Sequence, residues 1–285
     1  MNNCQELIEL IQLEQLDAQT FIGQNYQAPW KRVFGGQVLA QSLSAAAQTV
    51  EPDRMVHSLH SYFLLTGDIS IPIRFEVERV RDGGSFTTRR VVAKQNEEVI
   101  FILSASFQKE QPSFGHQVPM PNVLPPEQLR SDHEFIEAYK ELLPDSILES
   151  IRTRPFIFKP VENIIPKKGE VRQPMRHIWL KTNELLGDVT PQLHQQILTY
   201  VSDYNLLSTA ALPHTQDVFP RDLFMASLDH AMWFHRPFRV DEWLLFAIDS
   251  PSTSNSRGFT RGHFFAQTGE LVASVVQEGL IRQKK

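Results

Sequence analysis

Apolar positions along the chain follow two rhythms. Residues 36–50 are rich in alanine and serine, with apolar side chains at helical spacing, and this predicts an amphipathic helix. A second helix is predicted over 195–212, where Ile197, Tyr200, Val201, Tyr204, Leu206, Leu207, Ala210 and Ala211 share one broad arc. After each helix the period shortens to that of half-buried strands. Strand-like runs cover 57–65, 73–81, 85–95 and 99–108, and then 224–234, 243–249, 257–267 and 270–282. Asp82-Gly83-Gly84, Asn96-Glu97 and Thr268-Gly269 supply turn chemistry between them. Ten of the eighteen prolines lie between Pro112 and Pro174. Proline lacks a backbone donor and fixes its own φ, so this density opposes long helices and central strands. The expected organisation is a folded unit over 1–110, an irregular connection over 111–170 holding one or two short helices, for example near 133–143, and a second unit over 171–285.

The two units share residues as well as order. Ser58-Leu-His-Ser-Tyr-Phe-Leu64 can be set on Leu228-Asp-His-Ala-Met-Trp-Phe234, which places His60 on His230 at an offset of 230 − 60 = 170. Phe86-Thr-Thr-Arg89 answers Phe259-Thr260-Arg261, and Ala93-Lys-Gln95 answers Phe265-Ala-Gln267. Several matches in one order imply an internal duplication. Each copy is a small-residue helix followed by antiparallel strands, and such a helix can lie close against a curved sheet. That is the content of a hotdog fold, so the expected class is α+β, a double hotdog.

Composition narrows the function. The 285 residues are 41% hydrophobic and 21% charged, which suits a folded chain of about two domains. The formal charge of −5 offers no overall basic field for nucleic acid or anionic lipid. A single cysteine, Cys4, excludes an intrachain disulfide framework and a cysteine-built zinc site. Glu6, Glu9 and Glu14 among the first leucines are unlike a secretory signal or transit peptide, and the amphipathic start to about Leu16 is expected to cap the first unit. No apolar run approaches the roughly 20 residues of a membrane helix. The chain closes on Arg282-Gln283-Lys284-Lys285 rather than Ser-Lys-Leu, and a cytoplasmic location is expected.

Familiar catalytic signatures are missing: there is no G-x-S-x-G elbow, Walker pattern or G-x-G-x-x-G. The spacings of His57 to His60 and His230 to His235 are odd, which on a strand separates the rings to opposite faces and disfavours a shared metal. Polar residues on apolar faces say more. Asp203 falls inside the apolar arc of the second helix, and Gln277 shares a face with Leu271, Ala273, Val275, Gly279 and Ile281. Ser227 begins the strand leading into Asp229-His230. A buried carboxylate is costly unless hydrogen-bonded or protonated. Together, acid, hydroxyl and amide could hold and polarise one water. Each alone also reads as a satisfied core polar group, and periodicity does not show that the three meet.

Four segments carry a resemblance: Val33-Phe-Gly-Gly-Gln-Val38, His57-Ser-Leu-His-Ser-Tyr-Phe63, Asp229-His-Ala-Met-Trp-Phe-His-Arg-Pro-Phe238 and Val272-Ala-Ser-Val-Val-Gln-Glu-Gly279. In order and over nearly the whole chain, they resemble the acyl-CoA thioesterase II family. The resemblance implies a double hotdog that hydrolyses medium- to long-chain fatty acyl-CoA to fatty acid and CoA without metal or cofactor. By motif it implies a catalytic set of Asp203, Ser227 and Gln277. Bacterial members commonly have threonine where Ser227 stands, and serine loses the methyl that restrains the rotamer. Gly35, Gly36 and Gln37, at the start of the first helix, are expected to offer backbone N–H groups to substrate. His57 is set by the repeat at the position of Ser227. A homo-oligomer, dimer or tetramer, is expected because hotdog sheets tend to pack against each other, and a local basic patch must receive the anionic CoA. The rival readings are a hotdog hydratase, whose Gly-Asp-x-Asn-x-x-His motif is missing, and a non-catalytic acyl-CoA binder or sensor.

Overall fold

Alternation decides which face of each strand is buried. Ile73, Phe75 and Val77 turn inward in the first half of the chain, and Leu244, Phe246 and Ile248 do the same in the second. In the computed structural model, which describes residues 1, 3–28, 31–142, 145–162, 171–214 and 223–284, these runs belong to one antiparallel sheet. The first half comprises α1 (Cys4–Ile11), β1 (Glu14–Gln15), β2 (Thr20–Gly23), α2 (Gly35–Ala47), β3 (Arg54–Phe63), β4 (Ile73–Asp82), β5 (Phe86–Gln95) and β6 (Glu98–Lys109). Next come α3 (Asp132–Tyr139), α4 (Asp145–Arg152), β7 (Phe156–Pro160) and β8 (Met175–Thr182). The rest is α5 (Pro191–Ser202), α6 (Leu206–Ala211), β9 (Leu223–Ser227), β10 (Asp229–Phe234), β11 (Leu244–Ser254), β12 (Arg257–Ala266) and β13 (Leu271–Gln283).

The sheet runs β1-β2-β4-β5-β6-β3-β10-β13-β12-β11-β8-β7, with β9 paired to β13. The orders β4-β5-β6-β3 and β11-β12-β13-β10 repeat, and the copies meet edge to edge where β3 pairs with β10. At that seam Ser61 lies opposite His230, and its hydroxyl donates to the His230 carbonyl at 2.8 Å. Helices α2 and α5 pack against each other and share the main apolar core with the sheet. The fit is close at Gly36, where an added Cβ would stand 2.1 Å from the Tyr200 carbonyl oxygen. Among the non-glycine residues of α2 such an approach is sterically closed, which is why the sequence places glycine there.

Several expectations change in detail. The helix predicted over 195–212 starts earlier, with Thr190 as N-cap and Pro191 in the first turn, and breaks after Ser202. The strand predicted over 224–234 also breaks, at Leu228, whose N–H is held by the Glu278 carbonyl. The proline-rich connection holds a short helix where one was expected, α3, started by a capping box of Ser131 and Glu134, but it also contributes a strand, since β7 joins the second half's sheet as its edge. Residues 163–170 of that connection lie outside the described residues. The amphipathic start, α1, touches both halves: it packs on α2 and α5, and the Cys4 thiol meets Asn183 Oδ1 at 3.3 Å.

The repeat register also shifts. His60 is exposed and His230 fully buried, so the offset of 170 sets residues of opposite faces on each other. An offset of 171 restores the faces, pairing Phe63 with Phe234, Phe75 with Phe246 and Val77 with Ile248 (234 − 63, 246 − 75 and 248 − 77 all give 171). The shared histidine is a coincidence of identity, and burial decides the register because a one-residue slip reverses every side chain.

Candidate active site

Asp203 owes its position to a broken helix. Helix α5 ends on Ser202, Asp203 is its C-cap, and Asn205 takes a left-handed φ of 68° before α6 begins. Asparagine tolerates that conformation better than most residues. Tyr200 and Tyr204, on either side of the break, pack against Phe34 at ring distances of 5.2 and 4.7 Å. The break therefore fastens to the segment leading into α2, and the Asp203 carboxyl meets the first turn of that helix.

The three polar residues singled out in the sequence come together. Asp203 Oδ1 accepts from Ser227 Oγ at 3.2 Å and from Gln277 Nε2 at 2.9 Å, while Oδ2 accepts from the Gly36 N–H at 3.1 Å. Gln277 Nε2 also donates to Ser227 Oγ. The amide is completely buried, and its Oε1 has no hydrogen-bond partner among the described residues. Ser227 ends β9 and Gln277 lies within β13, which pairs with β9 so that Ser227 is opposite Gly279. Burial raises the Asp203 pKa from 3.8 to about 6, against the opposing pull of hydrogen bonds from Gln277, Ser227 and Gly36. An acid so placed has one proton to accept and releases it near neutral pH.

Behind the acid, His230 is fully buried and its Nε2 lies 2.9 Å from Ser202 Oγ. That hydroxyl donates to the Thr199 carbonyl, so the ring supplies the proton of the shared bond and Nδ1 is left bare. Burial pushes the imidazole down to about 3, keeping it neutral.

Ser227 and Gly35 line a cavity of about 340 Å³ at the seam of the two halves. Its walls combine apolar side chains with polar groups: Arg32 to Phe34 and Val38 on one side, Phe63 to Gly67 with Ile100 and Phe101 on another, and Met225 to Leu228 on the third. Asp203 lies just behind Gly35, where a Cβ would sit 2.6 Å from Oδ2. The expected backbone donors divide. The Gly36 N–H is taken by Asp203, and the Gln37 side chain is turned away, bonding Gln24, Asn25, Tyr26 and Gln41. Gly35 N–H alone of the pair keeps no partner among the described residues.

His57 stands apart from this group. Its Nε2 meets Ser106 Oγ at 2.8 Å, and it does not line the cavity. The first-half counterpart of Ser227 is Val56, which pairs with Phe107 as Ser227 pairs with Gly279. The counterpart of Gln277 is Ala105, four residues beyond Phe101, the partner of Phe63; Gln277 is likewise four beyond Ala273, the partner of Phe234. Sequence reading missed Gly36 as a partner of the acid. Its signal was the Gly35-Gly36 pair at a helix start, which looks the same whether it serves packing or binding.

Comparison with known proteins gives consistent matches. The family pattern described as acyl-CoA thioesterase matches residues 150–280, and that described as acyl-CoA thioesterase N-terminal domain matches residues 26–108. The chain is 40% identical to acyl-coenzyme A thioesterase 8 of Homo sapiens, over 96% of this chain and 88% of that one. It is 38% identical to acyl-CoA thioesterase 2 of Haemophilus influenzae, over 97% and 96%. A solved acyl-CoA thioesterase II from Mycobacterium marinum superposes with a TM-score of 0.80 at 42% identity, over 97% of this chain and 98% of that one. A hot dog protein from Alicyclobacillus acidocaldarius, 17% identical with a TM-score of 0.77 over 98% and 99%, shares the fold. The double hotdog expected from the repeat is the architecture of this chain.

Proposed function

Because the chain belongs to the acyl-CoA thioesterase family, we propose that it hydrolyses medium- to long-chain fatty acyl-CoA through a water activated by Asp203, with Ser227 and Gln277 holding that water. The observation carrying this reading is the convergence of a desolvated carboxyl, a hydroxyl and an amide beside a cavity walled in part by apolar side chains. A thioester carbonyl is electrophilic and thiolate leaves readily, so an activated water suffices. Asp203 takes one proton as the water oxygen bonds to the carbonyl carbon. The C–S bond then breaks, and the proton passes to the departing sulfur, leaving acid and thiol. Gly35 N–H, at the positive end of α2, is the donor for the oxyanion, since Gly36 is committed to Asp203. The acyl chain lies along the apolar walls that run from Gly35 to Phe63 and Phe101.

Release of free thiol from palmitoyl-CoA tests the activity. Asp203→Asn keeps the shape and removes the base, so kcat should fall at least about a hundredfold with folding intact. Near-normal turnover would place the base elsewhere. No release from any chain length would favour a non-catalytic acyl-CoA binder or sensor. Oligomer formation, as a dimer or tetramer in the cytoplasm, is part of the same reading; size-exclusion chromatography and cell fractionation test it. Among the described residues no helix is long and apolar enough to cross a membrane.

A further inference from the structure

A protein of charge −5 does not draw in a ligand bearing phosphates by its overall field. The attraction must be local. Among the described residues that line the cavity the cation is Arg32, which shares the space with Gly35 and Ser227 and is exposed to solvent. Its guanidinium has no hydrogen-bond or ion-pair partner among the described residues. By contrast Arg89, Arg239, Arg257 and Arg261 are each paired with a carboxylate. The backbone around Arg32 is held on both sides. Lys31 has a left-handed φ of 58°, unusual for a side chain of that kind, and its N–H donates to the Ala28 carbonyl at 2.9 Å. Val33 N–H donates to the Gly67 carbonyl at 3.0 Å, which joins this segment to the opposite wall of the cavity.

Distance fits the chemistry. Arg32 precedes Gly35 by three residues, a separation of at most about 10 Å along extended chain. Gly35 is in turn adjacent to the Asp203 carboxyl. With the length of its own side chain added, the guanidinium lies at most roughly 17 Å from Gly35. A pantetheine arm, made of two amide-linked units, spans a similar length between thioester sulfur and the first phosphate. We propose that Arg32 recognises a phosphate ester of the CoA moiety and so selects CoA thioesters over thioesters that lack the nucleotide. The assignment rests on the hydrolase reading above. Arginine suits the task because its planar fork binds phosphate oxygens in pairs, which lysine does not.

The test compares one acyl group on three carriers: CoA, dephospho-CoA and N-acetylcysteamine. In Arg32→Ala the ratio of kcat/KM for acyl-CoA to that for the N-acetylcysteamine thioester should fall about tenfold, through KM and not kcat. Arg32→Lys should fall between wild type and alanine. If the alanine variant no longer distinguishes CoA from dephospho-CoA, the contact is to the 3′-phosphate; if it still does, the contact is to the diphosphate. An equal loss on CoA and N-acetylcysteamine thioesters, or no loss on either, would overturn the assignment. Should wild-type protein hydrolyse none of the three, the hydrolase reading falls and the Arg32 assignment is still decided by calorimetry of CoA itself. Binding about tenfold weaker in Arg32→Ala supports it, and unchanged binding refutes it.

Discussion

Asp203 and His230 are both desolvated, and burial moves them in opposite directions. The carboxyl, raised from 3.8 to about 6, holds a proton in the native state where the unfolded chain has lost it. Its contribution to stability therefore falls as pH rises through that window. The imidazole, lowered from 6.5 to about 3, is neutral where the unfolded chain is charged, so its contribution grows with pH from about 3 to 6.5. Between about pH 4 and 6 the two slopes offset each other. Asp203→Asn removes one of them, and its Tm is expected to rise with pH over that range more steeply than the wild-type Tm. Thermal scans in a buffer series decide it; a constant difference between the two proteins would show that the carboxyl is unshifted. For catalysis the same shift has another sign: kcat/KM should climb through about pH 6 as Asp203 becomes the base. At Ser227 only the hydroxyl is used, accepting from Gln277 and donating to Asp203, so Ser227→Thr should stay within about twofold of wild type in turnover. A folded but inactive Ser227→Thr would instead favour a nucleophilic serine. Asp203 and Gln277 were legible in the sequence because each interrupts an apolar stripe, and Ser227 because it opens the run into Asp229-His230. Gly36 was read as a donor to substrate and not as the partner of Asp203, since a glycine leaves no such interruption and the direction of its amide is invisible to periodicity.

At the scale of elements, two breaks do the positioning. The end of α5 at Asp203 and the gap between β9 and β10 at Leu228 each release one polar side chain from a regular face. Both were read as continuous elements, because apolar residues continue across them. The positive φ of Asn205 marks the first break, but a lone asparagine inside an apolar arc is too common to signal one. Strands β3 to β6 and β9 to β13 were legible as runs, since alternation is a local property; β1, β2, β7 and β8 were not read, nor was the pairing order of the sheet. The repeat register was legible only to within one residue, because matching identities outweighed the faces until both were visible. Close packing of α2 on α5 makes a direct prediction. Gly36→Ala forces a methyl group against the Tyr200 carbonyl and should cost about 1–3 kcal/mol of stability. It should also weaken turnover, because the amide that holds Asp203 Oδ2 moves with the helix. Paired melting curves and thiol-release assays check both; an unchanged Tm would mean the helices separate without strain.

For the whole molecule, the seam matters more than either half. The sheet continues from β3 into β10, the cavity takes walls from both copies, and α1 bonds to residues of both. Calorimetry should therefore show one cooperative unfolding transition with equal calorimetric and van't Hoff enthalpies; two resolved peaks would mean the copies fold independently. The copies are alike in strand order yet unlike in chemistry. Where the second has Ser227 and Gln277, the first has Val56 and Ala105. A symmetric pair of separate subunits could not reach this state, because any substitution would appear on both sides of the axis at once. Joining the copies in one chain makes the two positions independently heritable. Under the proposed mechanism one half can then keep the water-handling groups while the other is free to drift toward wall and scaffold, and each chain would carry one reaction centre to saturate where a symmetric dimer carries two.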